Sequence, residues 1–147
     1  MNKLFASIVI TFCLAACQSI PQTTTPAQKT VPTMITTTKV LDLLDKDEVV
    51  IVDVRPKQDR KTFPSAYGIH YLQFGPTQWT GKISGRDEEN FLRAIYPIYA
   101  EAEEAGKMIV LMCDEGVRAR VAAQLLHNQD MDVFYASDAN MITLMYR

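Results

Sequence analysis

A chain of 147 residues suits a single domain, and an apolar fraction of 48% supplies material for one hydrophobic core. With 15 basic and 17 acidic side chains the formal net charge is −2, and no basic cluster offers the counterion-displacing surface that nucleic acid requires. Nucleic acid is therefore not expected as a partner.

Met1-Asn2-Lys3 is a short basic start, and residues 4–16 are apolar apart from Ser7 and Thr11. That run is too short to span a bilayer and reads as a secretion signal over residues 1–16. Leu14-Ala15-Ala16-Cys17 resembles the lipobox of bacterial lipoproteins. The resemblance implies lipidation at Cys17, loss of residues 1–16, and a membrane anchor facing the periplasm of a bacterial envelope. Gln18 in place of Asp after the cysteine favours the outer membrane by the same resemblance. Each buried methylene contributes about 0.8 kcal/mol, so several acyl chains hold such a protein on the membrane. Residues 17–35 are rich in Thr, Pro and Gln and read as a flexible tether, leaving residues 36–147 as the folded domain. With Cys13 removed and Cys17 acylated, Cys113 is the remaining thiol and no intramolecular disulfide can form. An unpaired thiol in an oxidising compartment is vulnerable unless it is buried or put to use.

Thr38 is placed to cap a short helix carrying Val40, Leu41 and Leu44, with a polar turn after it. Residues 49–54 are apolar except Asp53 and read as a buried strand of a parallel sheet. Asp53 is expected to hold loop N–H groups, and Arg55 to pair with an acid. Residues 56–68 read as loop with at most one helical turn, and residues 69–72 as a short strand. Residues 74–85 form an irregular connection in which Trp79 covers the core or walls the site. Over residues 87–105, Phe91, Ile95, Ile98 and Ala102 share one helical face, with Glu101, Glu103 and Glu104 outside. Pro97 should kink or divide that helix, because its ring clashes with the Arg93 carbonyl. Gly106 suits the position just past its end. Residues 108–112 are a second apolar run and strand. After them Val117, Val121, Ala122, Leu125 and Leu126 recur at helical spacing, Asp130 opens a turn, and residues 133–135 read as a further strand. His70 and His127 read as flanking residues, since a parallel α/β layout does not bring either to Cys113.

Between the strand at 108–112 and the helix lies Cys113-Asp114-Glu115-Gly116-Val117-Arg118. A sulfur at the carboxyl end of a parallel strand faces loop N–H groups and the positive end of a helix, which favour thiolate over thiol. Gly116 lets the chain turn tightly around it. Asp114 and Glu115 act in the opposite sense. Like charge raises a thiol's pKa and repels an anionic donor such as thiosulfate.

These six residues resemble the active-site loop of the rhodanese (sulfurtransferase) superfamily, and Val49-Val50-Ile51-Val52-Asp53-Val54-Arg55 is similar to its strand ending in Asp-x-Arg. The family's Gly-His-Ile-Pro-Gly-Ala segment is met by Lys61-Thr62-Phe63-Pro64-Ser65-Ala66, which keeps Pro and Ala but lacks Gly-His. In place of the family's Gly-Gly turn and closing helix stand Ser137-Asp138-Ala139-Asn140 and a short tail, implying an abbreviated closing element and a more open site. The resemblance covers residues 36–147 and implies one α/β domain with a central, mainly parallel sheet and helices on both faces. It implies that Cys113 is the nucleophile, taking sulfur from a small donor, carrying it as a persulfide without a further cofactor or metal, and yielding it to a thiol or cyanide. Asp114, Glu115, Gly116, Val117 and Arg118 would shape the substrate loop, with Asp53 and Arg55 in support. Arg118 would pair with an anionic donor or hold the loop through a carboxylate, and Arg120 is a second candidate cation. Related phosphatases and arsenate reductases place one more residue between Cys and Arg. Four residues between Cys113 and Arg118 fit a sulfur carrier better. The alternatives are a catalytically inactive binding module with a protein partner, and a thiol relay that needs a partner's cysteine.

Overall fold

A computed structural model describes residues 31–62 and 68–145. The expected signal segment, Cys17, most of the expected tether, and Phe63, Pro64, Ser65 and Ala66 lie outside the described residues. Five parallel strands form the sheet: β1 (Thr33–Met34), β2 (Val49–Asp53), β3 (His70–Tyr71), β4 (Met108–Met112) and β5 (Phe134–Ala136). Their spatial order is β1-β5-β4-β2-β3, which puts the two apolar runs, β2 and β4, side by side. The helices are α1 (Thr37–Asp45), α2 (Lys57–Thr62), α3 (Gly85–Glu104), α4 (Val117–His127) and α5 (Ala139–Met145).

Side-chain alternation splits the core into two layers. Val52, Ile109, Leu111 and Cys113 pack with Phe91 and Ile95 of α3 and Ala119, Ala122 and Leu126 of α4. Val49, Ile51, Val110 and Met112 face the other way, onto Val40 and Leu43 of α1 and Ala139 and Ile142 of α5. Both faces of the two central strands are therefore covered by helices. The α/β architecture with both faces covered is as expected.

Several local expectations are corrected. Thr36 rather than Thr38 caps α1, because Thr36 has the extended backbone of a cap and its hydroxyl accepts the Lys39 N–H at 3.3 Å. The end of the presumed tether is recruited as β1, whose two residues are too few to show alternation; Ile35 N–H then donates to Tyr135 O at 2.9 Å. Residues 57–62 form a helix longer than the single turn expected. Pro97 does not divide α3, which continues for 20 residues. Proline removes one N–H to the Arg93 carbonyl there, and apolar packing through Phe91, Ile95 and Ala102 holds the helix together on either side. A closing helix is present as α5, seven residues long and seated on α1 through Ala139 and Ile142.

Candidate active site

Cys113 extends the alternation of β4 beyond its last paired residue, so its side chain turns toward α4 and is only 5% exposed. The chain then reverses at Gly116, whose φ of 75° is a left-handed conformation that side-chain-bearing residues adopt at a cost. The position is also crowded: a Cβ there would sit 3.3 Å from Ser137 Cβ. This reversal curls the loop around the sulfur. Ala119 N–H donates to Sγ at 3.3 Å, and the N–H groups of Arg118, Gly116 and Glu115 also serve it. Burial pushes the thiol above its ordinary value of 9.0, and the four N–H groups pull in the opposite direction without cancelling that push. Burial, rather than the adjacent carboxylates, is the leading cause.

Arg55 explains the treatment of Asp114. Asp53, fully buried at the end of β2, accepts the Arg55 backbone N–H at 2.9 Å and its Nη2 at 2.8 Å. The same guanidinium, 1% exposed, donates from Nη1 to Asp114 Oδ1 at 3.1 Å and to Asn140 Oδ1 at 2.6 Å. Burial opposes its charge, but Asp53 and Asp114 outweigh that and hold Arg55 more firmly charged than usual. One cation thus joins the end of β2, the first residue after the cysteine, and the first turn of α5. Two backbone bonds reinforce the join, from Asp138 N–H to Asp114 O at 2.9 Å and from Ala139 N–H to Cys113 O at 3.3 Å.

Arg118 holds its surroundings through backbone carbonyls and not through the carboxylate expected of a structural role. Its guanidinium donates to the carbonyls of Phe74 at 2.7 Å, Pro76 at 2.9 Å and Thr77 at 3.3 Å, and lies 5.0 Å from the Trp79 ring centroid. It pins the irregular connection after β3 through backbone carbonyls, with no carboxylate in salt-bridge contact among the described residues. Burial lowers its pKa. Arg120 is exposed and lines a separate groove of about 290 Å³ with Pro32, Glu88 and Gln124, away from Cys113.

Cys113 opens onto a cavity of about 150 Å³ walled by Pro56, Asp59, Trp79, Asp114, Glu115 and Val117. No histidine is present in its lining. His70 is exposed on the edge strand, and His127 Nε2 lies 2.9 Å from Val133 O. Among the described residues no group of His, Cys, Asp and Glu is arranged to hold a metal. Asp59 and Asn140 are site residues that sequence reasoning missed. Asp59 lay in a segment read as loop, and Asn140 in a tail without periodicity.

The family model described as the Rhodanese-like domain matches residues 36–139. Among solved structures, a protein of unknown function from Rhodopseudomonas palustris, described as a possible tyrosine phosphatase, superposes with a TM-score of 0.50 at 19% identity. That match covers 73% of this chain and 75% of the other. A 3-mercaptopyruvate sulfotransferase, SseA from Escherichia coli, superposes with a TM-score of 0.51 at 18% identity, covering 72% of this chain and 40% of the other. At these identities the two structures establish the fold alone. No curated protein matches in sequence.

Proposed function

The chain belongs to the rhodanese-like domain family, and from that membership we propose that it is a sulfurtransferase carrying sulfane sulfur as a persulfide on Cys113. The observation that carries this reading is the cradle of four backbone N–H groups around Sγ at the carboxyl end of β4. Such a cradle stabilises an anion on the sulfur, whether thiolate before transfer or persulfide after it. The thiolate attacks the outer sulfur of the donor, the donor's S–S bond breaks, and the remainder leaves as an anion. A thiol or cyanide then attacks the outer sulfur of the Cys113 persulfide and regenerates the thiolate. Asp53, Arg55 and Asn140 hold the loop in the geometry that both half-reactions share. The lipobox-like Leu14-Ala15-Ala16-Cys17 supports an acylated form held on the envelope membrane and facing the periplasm.

The test is the intact mass of the protein after incubation with sulfane-sulfur donors. Wild type should gain about 32 Da, lose it on adding cyanide, and show no gain as Cys113→Ser. A second reading, a binding module that has lost catalysis, is favoured by the burial that raises the Cys113 thiol. It is preferred if no donor adds sulfur and a small alkylating agent also leaves Cys113 untouched. The phosphatase description of the Rhodopseudomonas palustris structure is less apt here. Arg118 is engaged with three carbonyls, and the loop carries two carboxylates where a phosphate would need cations. Labelled fatty acid incorporated by wild type but not by Cys17→Ser would test the anchor.

A further inference from the structure

We infer that the Cys113 site selects its donor by charge, accepting the sulfur of an uncharged or cationic alkyl persulfide and disfavouring oxoanionic donors such as thiosulfate. The inference rests on Cys113 being a sulfur carrier and names the class of donor. Two cations border the cavity, and both are engaged inside the protein. Arg55 is shared between Asp53, Asp114 and Asn140, and Arg118 between three backbone carbonyls. The loop N–H groups point at Sγ, so they stabilise the charge of the bound sulfur and not that of a sulfonate farther out. Facing the incoming donor are Asp59, half-buried on α2, and Glu115, exposed at the loop tip. Neither makes a hydrogen bond or ion pair with a side chain among the described residues, although the field of Asp59 reaches Arg118. Counting the members behind them, two arginines stand against four carboxylates. A dianion entering this mouth is repelled by the net negative lining, and among the described residues both basic side chains of that lining are already engaged. The apolar surfaces on offer are the Trp79 ring and Val117, 42% exposed, and a cavity of about 150 Å³ admits a slender alkyl stem.

The transfer balances without an external oxidant or reductant. Cys113 thiolate attacks the outer sulfur of R–S–SH, that S–S bond breaks, Cys113–S–SH forms, and R–S⁻ departs to take a proton from water. The ionisation of the persulfide itself is common to all such donors. Discrimination therefore falls on the charge carried by R.

The experiment compares two donors of nearly the same size, 2-aminoethyl persulfide and 2-carboxyethyl persulfide, with thiosulfate as a third. Initial rates of sulfur loading on the full chain are read by quenched intact mass at low ionic strength. The amino donor should load about tenfold or more faster than the carboxy donor, as two unit charges several ångströms from the reacting atoms imply. Glu115→Gln and Asp59→Asn should each shrink the ratio by about threefold, Glu115→Lys should shrink it further, and about 0.5 M salt should largely close it. Equal rates for the two donors, or a ratio untouched by all three variants, overturn the charge selection while leaving the sulfur carrier intact. Loading by none of the three donors overturns the sulfur-carrier reading itself, and this inference with it.

Discussion

Replacing Arg55 by Met keeps most of the side chain's volume and removes its cation from the place where three segments meet. Arg55 is 1% exposed and Asp53 is fully buried, so the substitution leaves a carboxylate in the interior without its guanidinium. Breaking a buried pair from one side costs about 3–5 kcal/mol, because the remaining charge keeps its desolvation penalty and loses the attraction that offset it. A domain of this size has about 5–15 kcal/mol in total, so the variant approaches the edge of stability. With a urea slope of about 2 kcal/mol per molar, the midpoint should fall by about 2 M. The fluorescence of Trp79, the single tryptophan, reports the transition. The diagnostic arm is the double variant Asp53→Asn/Arg55→Met. Removing both charges should recover at least about 1 kcal/mol relative to Arg55→Met alone, since the orphaned charge is then gone. A loss below about 1 kcal/mol for Arg55→Met, or no recovery in the double variant, would refute the account of Arg55 as the clamp beneath the cysteine loop.

Alkylation of Cys113 by iodoacetamide should keep accelerating through pH 9, because burial raises the thiol above its ordinary value of 9.0; a plateau by about pH 8 would contradict the cause given. The same upward shift makes the folded state the better proton holder. Its contribution to stability is complete below the unfolded value and is lost as pH rises through the folded one, and Cys113→Ser should lack that alkaline loss in urea titrations. Gly116→Ala should destabilise by about 1–2 kcal/mol from the left-handed backbone alone, with the contact to Ser137 adding to it, and should slow sulfur loading because the N–H groups shift. An unchanged melting curve would show that the reversal at Gly116 does not require glycine. Pro97→Ala should stabilise by about 1–3 kcal/mol, since position 97 is exposed mid-helix and the new N–H can reach the Arg93 carbonyl; no gain in Tm would mean that proline is better accommodated in α3 than its chemistry implies.

What could be read along the chain was whatever depends on near neighbours. Two apolar runs, broken only by Asp53 at the end of β2, declared β2 and β4, since strands covered on both faces carry such runs. The spacing of apolar residues in α3 and α4 was equally legible, and so was the placement of a thiol and a glycine between a strand and a helix. Short or mixed elements were not: β1 has two residues, α2 presents no buried face, and the region of α5 shows no recognisable period before Ala139 and Ile142 find α1. Proline at 97 misled because its local cost is real, but tertiary packing on both sides of it exceeds that cost.

The sequence by itself therefore determined the α/β class, the two central strands, and Cys113 at the mouth of a helix, because periodicity and loop length act over a few residues. The partners of the charged residues were decided by the tertiary structure alone. Arg55 meets Asp114 from 59 positions away and Asn140 from 85, and Arg118 reaches the Phe74 carbonyl across 44. No local pattern encodes such meetings. They follow from the strand order that sets β2 beside β4, which brings an arginine after one strand to the cysteine loop after the other. An acidic loop that looked hostile to a thiolate thus has one carboxylate held by a cation whose partner the sequence left unnamed.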